Sequence, residues 1–149
     1  MNWFFKFCKS LYEKPIPQPS CSSGPTHNLK EIFDQMNARY FQGRLELSIY
    51  WFGRQSKSSR INRKVLGYYD AKNKRIKIHH SLNDPFYPPY FIAYVVYHEM
   101  LHSVVPPLLG QKKRQVHHAV FKQKERLFED YTKAKEWEKE NLRKILNGR

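Results

Sequence analysis

Between Asn28 and Tyr131 the spacing of apolar positions changes from helical to strand-like and back. Leu29, Ile32, Phe33, Met36 and Tyr40 fall on one side of a helix, with Asn28 and Glu31 as its cap and Gly43 as its end. Leu45, Leu47, Ile49 and Trp51 then alternate with Glu46, Ser48 and Tyr50, which predicts a half-buried strand. Lys64 to Asp70 and Arg75 to His80 predict two more strands, joined by the turn-forming Ala71-Lys72-Asn73-Lys74. In the third, Ile76 and Ile78 share a face while Arg75 and Lys77 take the other.

Helical spacing returns with Phe91, Val95, His98, His102 and Val105. Pro85, Pro88 and Pro89 precede this helix, where proline is tolerated in the first turn, and Pro106 and Pro107 stop it near Val105. Residues 106 to 111 form a connection, and another helix begins at Lys112 or Arg114. On it His117, Val120, Phe121, Leu127, Phe128 and Tyr131 make the inward stripe, while His118 shares the outward side with Lys122, Glu125 and Glu129. From Lys122 onward the chain is mostly charged, and alternating signs such as Glu136, Lys139, Glu140 and Arg143 fit a solvent-exposed helix.

Composition adds boundaries and partners to this picture. Pro15, Pro17, Pro19 and Pro25 among serines make residues 1–27 a flexible segment, headed by an aromatic tip of Trp3, Phe4, Phe5 and Phe7. The expected organisation is that segment, a folded domain over 28–130, and a charged C-terminal helix over 131–149, with no internal repeat. The only cysteines, Cys8 and Cys21, form no metal-binding pair, which favours a reducing compartment, and no stretch approaches the length of a membrane span. A net charge of +14 points to a polyanionic partner. From Arg54 to Lys77 nine basic residues stand against one acid, Asp70, beside Trp51, Phe52, Tyr68 and Tyr69. Arg54, Lys57, Arg60, Arg63, Lys64, Lys74 and Arg75 are therefore candidate nucleic-acid contacts, since cations hold phosphates and aromatics stack on bases.

The chemistry concentrates in His98-Glu99-Met100-Leu101-His102. Histidines four apart on a helix are separated by about 40° of rotation and roughly 6 Å of rise, so both rings close on one metal from the same face. Glu99 lies next to that face and can reach a water on the metal without being a ligand. A catalytic zinc takes three protein ligands and keeps a fourth position open. Inward-facing His117 is the best third ligand, with His118, and then His79 and His80, as alternatives.

With these residues in view the chain resembles the SprT-like metallopeptidase family, whose eukaryotic relatives include the Spartan DNA-protein crosslink proteases. The likeness covers about Asn28 to Phe128. It includes Met36-Asn37-Ala38-Arg39-Tyr40-Phe41-Gln42-Gly43-Arg44-Leu45, the Gly67-Tyr68-Tyr69 strand, Ile76-Lys77-Ile78 with Leu82, the His98–His102 helix, and His117-His118-Ala119-Val120-Phe121. The last is similar to the family's His-Gly-x-x-Phe element, and the resemblance implies that His117 is the third zinc ligand. Two features depart from the pattern: His118 replaces the glycine, and the cysteine-rich zinc ribbon of many relatives is replaced by a charged helix.

The expected protein is thus a compact α+β, zincin-like domain with a small three-stranded sheet, an active-site helix and a following helix that returns the third ligand. Its expected function is zinc-dependent peptide hydrolysis, with Zn²⁺ on His98, His102 and His117 and Glu99 as general base. The substrate is a protein, and the resemblance extends this to proteins on DNA, single-stranded or crosslinked. The expected location is cytoplasmic, or nucleoid or nuclear if the chain works on DNA. Tyr90, Tyr94, His118 and Arg114 are the candidates for stabilising the oxyanion. The rival reading is a zinc-stabilised nucleic-acid-binding module without peptidase activity, and a weaker third is a membrane-surface protein using the aromatic tip. An intact Glu99 argues against the rival, because a structural zinc has no use for a carboxylate beside an open position.

Overall fold

Asn28 starts the first helix, α1 (Leu29–Phe41), by accepting at its side-chain oxygen the N–H groups of Lys30 and Glu31, two donors that a helix start otherwise leaves unpaired. The computed structural model describes residues 26–53, 65–109 and 114–147. The helix ends where Gln42 and Gly43 take positive φ, 57° and 69°, and the Gly43 N–H returns to the Asn37 carbonyl at 2.9 Å. Asn37, buried in the last turns of α1, also binds Leu45 with both side-chain groups, at 3.0 and 3.1 Å to the carbonyl and N–H. Those backbone groups are then spent, and the first strand, β1 (Ser48–Phe52), starts three residues later than the alternation from Leu45 predicts.

The second and third strands are β2 (Gly67–Asp70) and β3 (Arg75–His79). Leu66 ahead of β2 gives its carbonyl to the His79 N–H, while Lys64, the expected start, lies outside the described residues. His80 leaves the strand because it opens a 3₁₀ turn (His80–Leu82), which the His79 ring caps by accepting the Ser81 N–H at 3.1 Å. The hairpin between β2 and β3 is held by Asp70, whose carboxylate takes the Asn73 N–H and side-chain amide, and by Lys74 in the left-handed region. The sheet order is β1-β3-β2, with β3 parallel to β1 and antiparallel to β2. Ile49, Trp51, Ile76 and Ile78 are buried on one face, as the alternation requires.

That face packs on α1 and on α2 (Pro89–Val104). Pro89 stands at the first helical position, where its missing N–H is no loss. The expected stripe is only part of what α2 buries: Ile92, Tyr94, Val96, Tyr97, Met100 and Leu101 are also inside, so α2 is a central helix, apolar nearly all round.

After Pro106 and Pro107 the chain forms a short ladder, β4 (Leu108–Leu109) with β5 (Arg114–Gln115), in place of a plain connection. Because Arg114 and Gln115 pair with Leu109 and Leu108, the next helix cannot start there, and α3 (Ala119–Glu125) begins beyond both histidines. A turn at 126–130 separates it from α4 (Tyr131–Asn147), so the single stripe drawn through 117–131 is broken. Phe121 and Phe128 are buried, whereas Val120 and Leu127 are 49% and 67% exposed. The charged tail is the helix α4, but it is not solvated all round. Ala134 and Ile145 are buried, and the Trp137 ring packs on Phe91 at 4.6 Å between ring centres and on Phe86 and Tyr87.

Candidate metal centre and active site

His98 and His102 stand one turn apart on α2, and His117 approaches them from the bend between β5 and α3. Their three Nε2 atoms form a nearly equilateral triangle with sides of 3.1, 3.2 and 3.2 Å. Nitrogens bound to one tetrahedral zinc at ordinary bond lengths lie about 3.3 Å apart, so the triangle fits a shared cation closely. Three imidazoles cannot satisfy one another in such a ring, because each Nε2 faces two others. Burial, and then the neighbouring His98, pushes His102 down to about 4, and the same causes lower His117. Both rings are therefore neutral near pH 7, the state in which imidazole is a ligand.

The orientation of His98 comes from a residue that the helical pattern places on the wrong side. Glu125, expected to face outward, is buried at the end of α3. Its Oε1 accepts the His98 Nδ1–H at 2.7 Å and the Tyr94 hydroxyl at 2.6 Å. Burial alone would raise the Glu125 carboxyl, but the hydrogen bonds from His98 and Tyr94 prevail and hold it below its ordinary range. The bond leaves the His98 Nε2 lone pair free to face the triangle. No sequence signal marks Glu125, since α3 is only two turns long and its tilt under α2 is a tertiary matter.

The two neighbouring histidines at 117 and 118 also sit differently from expectation. Neither is on a helix, and His117 is the more exposed of the two, yet its ring turns into the triangle. His118 turns away and donates Nε2–H to the Pro106 carbonyl at 3.1 Å. The other two candidate ligands stay at the sheet. His79 Nδ1 lies 2.8 Å from the Ser81 hydroxyl, and His80 packs on the Trp51 ring.

Glu99 is 6% exposed and lies under β2. Burial pushes its carboxyl up to about 7, against the opposing pull of His98 and of a hydrogen bond from the Tyr69 backbone N–H. Gly67 makes this approach achievable. A methyl group there would meet Ile78 Cδ1 at 3.0 Å, Glu99 Cγ at 3.1 Å and Glu99 Oε1 at 3.2 Å.

Two clefts meet at this point. One of about 380 Å³ runs from Leu66 past Tyr94 to Lys122 and Lys135, and one of about 360 Å³ runs past Tyr69 and Val116 to Arg114. Gly67, His98, Glu99 and His117 border both. Of the groups considered for the oxyanion, Tyr94 and Arg114 line the clefts, Tyr90 lies under the Lys133 ammonium and His118 is bound to Pro106. Of the expected nucleic-acid contacts, Arg54, Lys57, Arg60, Arg63 and Lys64 lie outside the described residues. Lys74 is in the exposed hairpin turn and Arg75 begins β3.

No helix among the described residues is long and apolar enough to cross a membrane. No curated protein and no solved structure is matched by the chain. The SprT-like family model, however, matches residues 29–140, which run from the first residue of α1 through the histidine triangle and Glu125 into α4. With most of its length matched, the chain belongs to the SprT-like family.

Proposed function

We propose that the protein is a zinc-dependent peptidase. The observation that carries the reading is the histidine triangle, with the buried Glu99 beside it, at the junction of two clefts along strand β2. His98, His102 and His117 would hold the ion, and Glu125 fixes the tautomer of His98. Zinc supplies Lewis acidity, which lowers the pKa of a bound water and polarises the scissile carbonyl. Glu99, buried beside the three ligands, would serve as the proton acceptor for a water activated there and as the donor to the leaving amine. β2 is an edge strand of its sheet, so an extended protein segment adds alongside it, with Gly67 closest to Glu99.

The test pairs metal content with cleavage of an unfolded protein. Wild type should carry about one zinc per chain and cleave, while Glu99→Gln should keep its zinc and lose roughly 10²- to 10⁴-fold in rate. Undiminished cleavage by zinc-loaded Glu99→Gln rejects the assigned base. A zinc-loaded wild type inert toward unfolded, basic and DNA-bound proteins makes this a binding module with a structural metal.

A further inference from the structure

The two clefts that meet at the histidine triangle follow one another along β2. Leu66 and Gly67 border the first, while Gly67, Tyr68, Tyr69 and Ala71 border the second. Their charges are unevenly matched. Of the carboxylates in the first cleft, Glu125 is spent on His98 and Tyr94, Glu138 pairs with Lys135, and Glu99 is buried beside the ligands. That leaves Lys122 on the same wall without a counter-charge. In the second cleft Glu99 is the only carboxylate, and the cation is Arg114. Among the described residues neither Lys122 nor Arg114 has a carboxylate partner, and both are exposed.

Both cations are rooted in backbone that the site itself holds. Arg114 pairs with Leu109 in the β4–β5 ladder, and three residues later His117 enters the triangle, so the chain is fixed on either side of the guanidinium's root. Pro107 and Val116 give its cleft apolar walls, between which an ion pair is screened less than on an open surface. Lys122 stands on α3, about one turn before the Glu125 that holds His98. Each side of the triangle thus carries one cation in want of an anion.

An extended chain added alongside β2 projects every second side chain toward the domain, so residues on the two sides of the scissile bond reach the two clefts. Lysine or arginine there would face Arg114 or Lys122 as a like charge. Apolar residues would strip water from the cations and return no partner. Aspartate or glutamate supplies the missing counter-charge. A phosphodiester chain is also negative, but it has no backbone N–H and C=O to offer the β2 edge. We infer that the substrates are cut within acidic stretches, one carboxylate meeting Arg114 on one side of the scissile bond and another meeting Lys122 on the other side. The inference rests on the peptidase reading and makes both residues determinants of specificity, with no part in the bond-breaking step.

The experiment uses fluorescent peptides that differ only in carrying Glu, Gln or Lys at the positions flanking the cleaved bond. On the full chain it measures wild-type kcat/KM and, by anisotropy, affinity for zinc-loaded Glu99→Gln. Glu peptides should exceed Gln peptides by about three- to tenfold in both readouts, with Lys peptides last. Arg114→Ala should erase the preference on one side of the bond and Lys122→Ala on the other, with zinc content intact. Arg114→Lys should keep most of it, and Arg114→Glu should turn it toward Lys, an inversion that a structural role does not produce. If the Arg114 variants are poorly folded by circular dichroism, Lys122→Ala and Lys122→Glu decide. A wild type that cleaves Glu, Gln and Lys peptides alike overturns the inference and leaves the peptidase reading standing. Arg114→Ala that slows every peptide equally, with affinities unaltered, would put Arg114 on the reacting carbonyl and equally overturn it. A wild type that cleaves nothing, while zinc-loaded Glu99→Gln still ranks the peptides through Arg114, supports the acidic subsites and rejects the peptidase reading alone.

Discussion

Glu125 shows how much of this site rests on single contacts. Its Oε1 receives both the His98 ring and the Tyr94 hydroxyl, so Glu125→Ala leaves one buried and one partly buried donor unpaired and frees His98 to rotate. Zinc affinity should fall about 10- to 100-fold in competition with a chromophoric chelator. Glu125→Gln keeps an acceptor oxygen and should lose less. Glu99 makes a second prediction, for the metal-free protein. Its folded pKa of about 7 lies above the ordinary carboxylate value of 4.5, so the folded state binds the proton more tightly than the unfolded chain does. Stability from this group is fully present below about 4.5 and is lost as pH rises through about 7. Glu99→Gln has no such loss. Chelator-treated Glu99→Gln should therefore gain on wild type between pH 5 and pH 8, by on the order of a few kcal/mol, in denaturant melts. A gap that shrinks with rising pH would show that Glu99 is not buried as described.

Among the elements, β2 and α2 are pressed together at Gly67, and the distance between them sets the position of Glu99. Gly67→Ala would place a methyl group 3.1 Å from Glu99 Cγ and 3.0 Å from Ile78 Cδ1, so the strand or the carboxylate must shift. Cleavage should drop about tenfold or more while zinc content is retained, because the atoms nearest the added methyl belong to Ile78 and Glu99 and not to a ligand. A variant that lost zinc in proportion to rate would place the strain on α2 itself. Helix α4 acts on the same assembly from the other side. Trp137 on Phe91 ties it to the first turn of α2, where its charged exterior hides an apolar seam.

For the whole molecule a metal on the three histidines would be a cross-link. His98 and His102 come from the central helix, while His117 comes from a bend that follows a two-residue strand. Removing zinc should lower the melting temperature, and the stabilisation by a site saturated 100-fold above its Kd is about 2.7 kcal/mol. His117→Ala should abolish the response to zinc more completely than His118→Ala, whose ring is engaged with Pro106. Calorimetry with and without chelator measures both. The reverse ranking would mean that the bend closes on the metal through His118.

What the sequence determined alone was local. Cap and turn chemistry placed α1 and the β2–β3 hairpin, prolines bounded α2, and four-residue spacing put His98 and His102 on one face, because each depends on residues a turn or two apart. The grouping of His117, and not His118, with His98 and His102 was also legible, although through a helical stripe that does not exist there. Tertiary structure decided the rest. It paired β1 with β3 in parallel, spent the backbone of Leu45 on Asn37, and drew Arg114 and Gln115 into a ladder where a helix was expected. It also turned Glu125 inward, since a short helix has too few residues for periodicity to say which side its last carboxylate takes. The placing of Arg114 and Lys122 in the two clefts belongs to the same class. In sequence each is one cation among many, and only the β4–β5 ladder and the packing of α3 bring them beside the histidine triangle, through contacts that no local pattern encodes.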